Sequence, residues 1–333
     1  MRKLIPLLLI LVVYACDHNN QVKSNTSDTP KANVVIPQFD ADSAYAFVKA
    51  QTDFGPRVPN TEAHQQCAEW LVSKLSEYAD TVMVQEFRTR LFNSKGIDGK
   101  NIIASFNPQA TKRILLCSHW DSRPFADHDP DEANWSHPID GANDGASGVG
   151  VLIENARCFR NQPLPEKTGV DIIFFDLEDY GPRQDQMEQY YDNRRNHWAL
   201  GSQFWASQHH IKGYQASFGI LLDMVGGKEP NFMKEYYSQG YAAWLSNKVW
   251  RMAQDLGYRQ YFVNELGEPI SDDHLPLNET AGIPTIDIID LHPTSSNGTF
   301  PEHWHTLSDN INSIDKNTLL MVGNVLNHIV YKE

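Results

Sequence analysis

The stretch RILLCSHWDS, residues 113–122, predicts a buried strand that ends in a polar segment beginning at His119. Its short apolar run is typical of a parallel strand that is covered on both faces. Two later stretches repeat this pattern, because VDIIFFDL lies just before Asp179 and FGILLDM contains Asp223. Open α/β sheets bind their ligands at the carboxyl ends of parallel strands. We therefore expect these three polar side chains at one edge of a sheet.

Strand and helix patterns alternate along most of the chain. Helical periodicity is found near 42–53, 61–78, 145–160, 199–209, 240–256 and 313–331, and strand patterns near 81–90, 100–106, 112–118, 169–176, 216–223 and 284–289. Such alternation favours a sheet whose central strands are parallel. We predict an α/β fold with three αβα layers in a single domain. Its sheet is mixed and twisted, and helices cover both faces.

Three long irregular segments interrupt this pattern, at 120–143, 180–198 and 290–304. The first two follow strands that end near a candidate ligand, and the third leads into His305. Long loops in a compact domain are usually functional. The three segments are therefore predicted to form the walls of an active site.

Composition limits the classes of partner. The chain has 333 residues, of which 41% are hydrophobic, and it carries a formal net charge of −14. This content supports a sizeable core, and the acidic balance disfavours nucleic acid and anionic membrane surfaces, which select basic patches. A monomer is the default expectation.

The amino terminus has the pattern of an export signal. Arg2 and Lys3 precede the apolar run LIPLLLILVVYA, which is short for a membrane span. The following VYAC resembles a bacterial lipobox with Cys16 as the lipidated residue. We predict a lipoprotein signal peptide at 1–15, a flexible tether at 16–36 and a folded domain at 37–333. The protein would then be exported and held by its lipid anchor at the periplasmic face of a membrane.

The remaining cysteines are Cys67, Cys117 and Cys158. None has the CxxC spacing of a redox or zinc-thiolate motif, and an odd number cannot pair completely. We expect all three to be buried as small apolar side chains.

Carboxylate and imidazole candidates are present without thiolate partners, which suits a catalytic zinc better than a structural one. A catalytic zinc takes about three protein ligands and keeps one position open. Asp144, Asp179 and His305 can supply the three, so we predict that residues 37–333 form a zinc-dependent catalytic domain. Glu178, beside Asp179, becomes a candidate general base if a turn brings both side chains to the same side. Asp272 is a further acid that could share a proton with it.

In these residues the chain resembles the zinc aminopeptidase superfamily and, within it, the glutaminyl-peptide cyclotransferases. The resemblance covers roughly residues 40–330. The motifs that carry it are SHWDS, GANDGASGVGVLIE, IIFFDLED, LGSQFWA, LLDMVG, DDHLPLNETAGIPTIDI and WHTLSDN. Two further stretches, FPEHWHT and ISDDH, are more similar to the cyclotransferases than to the aminopeptidases.

The resemblance implies conversion of an N-terminal glutamine to pyroglutamate with release of ammonia, on peptide or protein substrates. It implies one Zn²⁺ per chain, bound by Asp144, Asp179 and His305, with His119 close by and free for a possible second metal. The implied acid network is Glu178, Asp223 and Asp272, with Glu178 as the catalytic base. Candidate walls of the substrate pocket are Phe300, Trp304, Ile270 and Trp198.

Two alternatives remain open at this point. A two-zinc aminopeptidase would use the same set of ligands together with His119 and Asp223, and Glu178 would activate water. A lipid-anchored binding module without activity would have a metal site that is vestigial or structural. The number of zinc ions per chain separates the cyclotransferase from the aminopeptidase.

Overall fold

The computed structural model describes residues 34–191 and 196–333. The predicted signal peptide, the lipidation site Cys16 and all of the tether except residues 34–36 lie outside the described residues, as do four residues of the predicted 180–198 wall. Among the described residues, no helix is both long and apolar enough to cross a membrane.

A mixed sheet forms the centre of the described domain. Its strands are β1 (Thr81–Arg90), β2 (Gly96–Phe106), β3 (Lys112–His119), β4 (Thr168–Phe175), β5 (Phe218–Asp223) and β8 (Thr285–Ile289), in the spatial order β1-β2-β4-β3-β5-β8. Strands β4, β3, β5 and β8 run parallel, and β1 and β2 add an antiparallel pair at one edge. A smaller parallel pair consists of β6 (Phe232–Lys234) and β7 (Phe262–Leu266). The predicted mixed sheet with parallel central strands is confirmed.

Helices cover both faces of this sheet. They are α1 (Ala41–Thr52), α2 (Glu62–Ser76), α3 (Ala146–Asn161), α4 (Met187–Tyr190), α5 (Leu200–Ser207), α6 (Tyr236–Asp255), α7 (His274–Glu279) and α8 (Lys316–Tyr331). Buried side chains of α1, α2, α3, α6 and α8 belong to one large core cluster. Those of α5 and α7 belong to a second cluster on the opposite face. The predicted three-layer αβα fold is therefore confirmed.

The central strands contribute side chains to both hydrophobic clusters. In β3, Ile114 and Leu116 belong to the larger cluster, whereas Leu115 and Cys117 belong to the smaller one. Successive side chains of a strand point to opposite faces, so an apolar run without alternation is buried on both sides. This is why the uninterrupted run at 113–117 predicted a central strand.

Some boundaries differ from the prediction for local reasons. Helix α6 begins at Tyr236 instead of residue 240, because the Glu235 carboxylate accepts hydrogen bonds from the backbone amides of Tyr237 at 2.8 Å and Ser238 at 2.6 Å. Glutamate is an uncommon N-cap, so the sequence carried no start signal there. Helix α7 was missed because it has only six residues and contains Pro276.

The three cysteines of the domain are free and buried, as predicted. Burial raises the pKa of Cys67 to about 12. The thiol is the unreactive form, so these side chains act as small apolar groups in the core.

Gly148 of α3 lies where the helix crosses the sheet below the candidate site. A Cβ atom there would stand 2.7 Å from the Leu222 carbonyl oxygen and in direct conflict with the Ser118 hydroxyl. We expect Gly148→Ala to lower the free energy of unfolding by about 1–3 kcal/mol, since the added methyl group would force the packed backbone to shift. Urea denaturation measures the change.

The matched control for this substitution is Gly240→Ala in α6, where a Cβ would meet nothing within 4 Å. This change should raise stability by about 0.4–1 kcal/mol through the unfolded chain. Equal effects of the two substitutions would contradict the packing argument.

Candidate active site

Three predicted metal ligands meet at the carboxyl edge of the sheet. Asp144, Asp179 and His305 are buried, and they offer ligand atoms that all lie within 4.8 Å of one another. His305 Nε2 lies 3.2 Å from Asp179 Oδ1 and 3.5 Å from Asp144 Oδ2. Two carboxylates and one imidazole around a common point are a donor set that suits a catalytic zinc.

Asp144 is fixed by its backbone. It stands two residues before α3, and the amides of Asn143 and Asp144 donate to the Asp309 carboxylate at 2.8 and 3.0 Å. The next residue, Gly145, has φ +93°, and a Cβ there would stand 2.8 Å from the Asp121 carbonyl oxygen. Glycine at this turn lets the Asp144 side chain face the ligand cluster.

A turn after β4 presents the Glu178 and Asp179 side chains. The strand ends at Phe175, and Leu177 adopts φ 59°, which breaks the extended chain. The amides of Glu178 and Asp179 both donate to the Asp121 carboxylate, at 3.1 and 3.2 Å. Both neighbouring carboxyl groups line the same cavity. The turn that the general-base hypothesis required is therefore present.

His305 lies in a loop and also has a left-handed backbone, with φ 54°. Its ring stacks on Trp304 with centroids 3.8 Å apart and lies parallel to Trp198 at 6.4 Å. Its Nδ1 atom is 3.6 Å from Asp127 Oδ1. Strained backbone of this kind is found where surrounding contacts fix a functional side chain.

A second group of candidate ligands consists of His119, Asp144 and Asp223. His119 and Asp223 are the last residues of β3 and β5, as the strand patterns predicted. The His119 Nε2 atom lies 3.0 Å from Asp144 Oδ1 and 3.2 Å from Asp223 Oδ1, and the second contact is a hydrogen bond. His119 does not line the cavity, whereas Asp144 and Asp223 do.

The residues present fit a metal ion in the first group. Among the described residues, no hydrogen-bond partner reaches the buried atoms Asp144 Oδ2 and Asp179 Oδ2. Buried polar atoms are rarely left without a partner, so unpaired ligand oxygens point to an ion. Burial and the positive charge of Arg123 lower the pKa of His305 to about 3, which leaves its imidazole in the neutral form that binds metals.

A cavity of about 410 Å³ opens above this group. All four predicted wall residues line it, namely Phe300, Trp304, Ile270 and Trp198. Trp304 packs against Phe300 with ring centroids 4.5 Å apart, and both contact the apolar cluster that contains Ile270. Trp198 is the last residue of the 180–198 segment. The positions agree with a substrate pocket, and the individual roles stay predictions.

The three predicted acids, Glu178, Asp223 and Asp272, also line the cavity. Burial raises the pKa of Glu178 well above its usual range; the charge of His119 opposes this, and the Asp272 carboxylate adds to it. Burial likewise raises the pKa of Asp223 to about 7 against the hydrogen bond from His119, and raises the pKa of Asp272. Carboxyls with raised pKa values near a reacting group are suited to proton transfer.

Several supporting residues were not found from the sequence. Asp121 and Asp309 hold the backbone at the ligands, and Arg123 and Asp127 form a buried pair beside the cavity. All four lie within or next to quoted motifs, in HWDSRPFAD and WHTLSDN. Only the spacing of four residues between Arg123 and Asp127 could have indicated a local pair, and it is common in any chain.

The chain matches the sequence model of peptidase family M28 over residues 101–330, which is more than half its length. The chain belongs to peptidase family M28. Members of this family are zinc-dependent, and the carboxylate and imidazole groups described above are the ones that could hold the metal.

Individual relatives and solved structures extend the comparison. A glutaminyl-peptide cyclotransferase of Bothrops jararaca is 29% identical over 252 residues, which cover 68% of this chain and 63% of the relative. The chain thus spans less than two thirds of that relative's length. The solved glutaminyl cyclase of Bacteroides thetaiotaomicron, bound to N-acetylhistamine, is 48% identical with a TM-score of 0.84 and covers 90% of this chain and 100% of its own. A Zn-dependent exopeptidase of Parabacteroides distasonis is 46% identical with a TM-score of 0.86, at the same coverage.

Proposed function

We propose that this protein cyclises N-terminal glutamine of peptides or proteins to pyroglutamate and releases ammonia, with one zinc ion per chain. The relatives named as glutaminyl cyclases support this reaction, and one of them matches the chain at 48% identity. The cavity supports it as well, because Glu178, Asp223 and Asp272 share the space with the ligand group and the apolar walls.

A difference between the two ligand groups supports the binding of one zinc ion and not two. In the first, Asp144 Oδ2 and Asp179 Oδ2 are buried without a hydrogen-bond partner among the described residues. In the second, His119 Nε2 already bonds Asp223 Oδ1 at 3.2 Å. A metal satisfies the unpaired oxygens of the first group, whereas at the second position it must replace an existing hydrogen bond.

Zinc held by Asp144, Asp179 and His305 would act as a Lewis acid toward the γ-carbonyl of the substrate glutamine. Glu178 accepts one proton from the neutral α-amine of that residue. The freed nitrogen attacks the γ-carbon, and a C–N bond closes the five-membered ring. Glu178 then returns the proton to the departing amide nitrogen, which leaves as ammonia. One carboxyl group thus completes the proton balance.

Asp223 and Asp272 are the groups that tune this proton transfer. The negative charge of Asp272 favours the protonated form of Glu178, which is the form needed to donate to the leaving nitrogen, and Asp223 lines the same cavity. Because the nucleophile belongs to the substrate, the pocket has to fold the glutamine side chain back on its own amine. A small cavity walled by Phe300 and Trp304 suits that task.

Trp304 should contribute mainly to substrate binding. We expect Trp304→Leu to raise KM for a glutamine-initiated peptide about tenfold, the equivalent of about 1.4 kcal/mol, because the aromatic contact with Phe300 is lost. The rate at saturation should change much less. Steady-state kinetics separate the two constants.

Trp244→Leu is the matched control, since this tryptophan is 53% exposed on α6 and does not line the cavity. An unchanged KM in the Trp304 variant would show that this side chain does not contribute to substrate binding.

An ammonia-release assay tests the proposed reaction. Three peptides that differ only at the amino terminus are needed: glutaminyl, N-acetylglutaminyl and leucyl. We expect ammonia only from the first, because acetylation blocks the attacking amine and leucine has no γ-amide. Release from the acetylated peptide would show hydrolysis of the side-chain amide, and would overturn the cyclisation.

The alternative is a two-zinc aminopeptidase, and a specific observation favours keeping it. The His119, Asp144 and Asp223 group retains the donors for a second metal. In that enzyme Glu178 would activate water against the first peptide bond. Metal analysis of the purified protein separates the two, since the cyclase reading requires one zinc per chain and the peptidase reading two.

We further propose that the protein is an exported monomer anchored by lipid at Cys16, on the periplasmic face of a bacterial membrane. The basic residues, the apolar run and the VYAC sequence support this. We expect Cys16→Ser to move the protein from the membrane fraction to the soluble fraction, since a lipid chain would no longer be attached. Fractionation with immunodetection measures it, and an unchanged membrane fraction would contradict lipidation.

A further inference from the structure

Arg123 is the buried cation of the candidate site. It lies in the segment after β3, its side chain is 1% exposed, and it lines the cavity. Its Nε and Nη2 atoms donate to both carboxylate oxygens of Asp127, at 2.7 and 2.6 Å. This bidentate pair is of the strong, geometrically fixed type.

The remaining donors of Arg123 point to the segment that follows β4. Nη1 donates to the carbonyl oxygen of Asp179 at 3.1 Å and to its Oδ1 atom at 3.3 Å. Nη2 also donates to the Pro182 carbonyl oxygen at 3.1 Å. Together with the bonds to Asp127, each of the five guanidinium N–H groups has an acceptor. A lysine in this position has only three donors and no fork.

Through these contacts Arg123 reaches two of the three proposed zinc ligands. It holds Asp179 directly, by backbone and side chain. It holds Asp127, whose Oδ1 atom lies 3.6 Å from His305 Nδ1, the ring nitrogen that faces away from the ligand group. At 3.6 Å this is a polar contact, longer than a hydrogen bond, on the side of the histidine where carboxylates orient metal-binding rings.

The same guanidinium also supports the pocket. Its Cζ atom lies 4.8 Å from the centre of the Trp198 ring, within the range of a cation–π contact. Trp198 in turn lies parallel to the His305 imidazole. Asp127 accepts a further hydrogen bond from the backbone amide of Gln184 at 2.8 Å, which connects it to the 180–198 segment that also contains Trp198.

We propose that Arg123 is a positioning residue that fixes the zinc ligands Asp179 and His305 and the Trp198 wall of the pocket as one unit. This proposal rests on the proposed function for the zinc ligands and for the identity of the substrate. The positive charge also offsets the carboxylates that crowd the site, which arginine can do while buried because it stays protonated.

Zinc affinity is the first readout, measured without substrate by competition with a chelating indicator. We expect Arg123→Lys to raise the zinc Kd about 10–100-fold, as changes in outer-shell partners do. The matched control is Arg183→Lys, the same substitution in the segment after β4, at a partly exposed arginine paired with Asp185. The control should stay within about twofold, since exposed ion pairs contribute little.

The second readout separates positioning from a general structural role. With zinc at saturation, kcat of Arg123→Lys should return close to the wild-type value, because the ligands are again occupied. KM should stay raised about threefold to tenfold, because lysine does not support Trp198 as the guanidinium plane does. A zinc Kd within about twofold of wild type, or a KM that excess zinc restores, would overturn the proposal.

A variant that keeps the arginine covers the case in which Arg123→Lys does not fold. Asp127→Asn removes one charge from the fork and the carboxylate facing His305 Nδ1, and it should also raise the zinc Kd about tenfold or more. An unchanged Kd in this variant would overturn the proposal. Because zinc binding is measured without peptide, these outcomes can be read even if the ammonia-release assay were to reject cyclisation.

Discussion

Glu178→Gln is expected to lower kcat/KM for a glutamine-initiated peptide by about 10²–10⁴-fold, the usual contribution of a general acid–base group. Glutamine has nearly the same shape but cannot accept the amine proton. The side chain lines the cavity and stands beside the ligand Asp179, held there by the turn at Leu177. Zinc content should remain that of the wild type, because Glu178 is not among the proposed ligands.

Glu188→Gln is the control for this change, since Glu188 is an exposed residue of α4, ten positions further along the chain. It should leave both kinetic constants unaltered. If Glu178→Gln kept activity within about tenfold of wild type, the assignment of the base would be wrong.

Asp144→Asn should give the largest loss of zinc. Asp144 belongs to both ligand groups, and its carboxylate charge is what the metal requires. We expect a fall in affinity beyond the about 10–100-fold of outer-shell changes, with loss of activity as the consequence. The backbone bonds to Asp309 do not involve the side chain, so the fold should survive.

Thermal unfolding with and without added zinc measures this independently of turnover. Zinc should raise the Tm of wild type, since a ligand that binds only the folded state stabilises it, and should not raise that of Asp144→Asn. Asp140→Asn, four residues earlier in the same loop, serves as the control and should respond to zinc as wild type does. An equal zinc response in the Asp144 variant would exclude this residue as a ligand.

The strand patterns predicted much of the site because they are local. His119 and Asp223 are the terminal residues of β3 and β5, and an apolar run marks each strand directly. The parallel order of these strands then places both residues at one edge. The aromatic walls came from the family resemblance instead, since nothing in the periodicity distinguishes Trp304 from a core residue.

Contacts between distant segments could not be predicted in this way. Asp179 lies four residues beyond the end of β4, and its direction depends on the left-handed turn at Leu177, which a leucine does not signal. Arg123 meets Asp179 across 56 positions of the chain, and Asp309 meets Asp144 across 165. Such pairings follow from the packed fold and not from any local pattern.

Mass spectrometry of a glutamine-initiated peptide, after incubation with the zinc-loaded protein, distinguishes cyclisation from hydrolysis, with Glu178→Gln as the negative control. We predict a product that has lost one ammonia while the peptide chain stays intact. Free glutamine together with a peptide shortened by one residue would contradict the proposed cyclisation, and would identify the protein as an aminopeptidase.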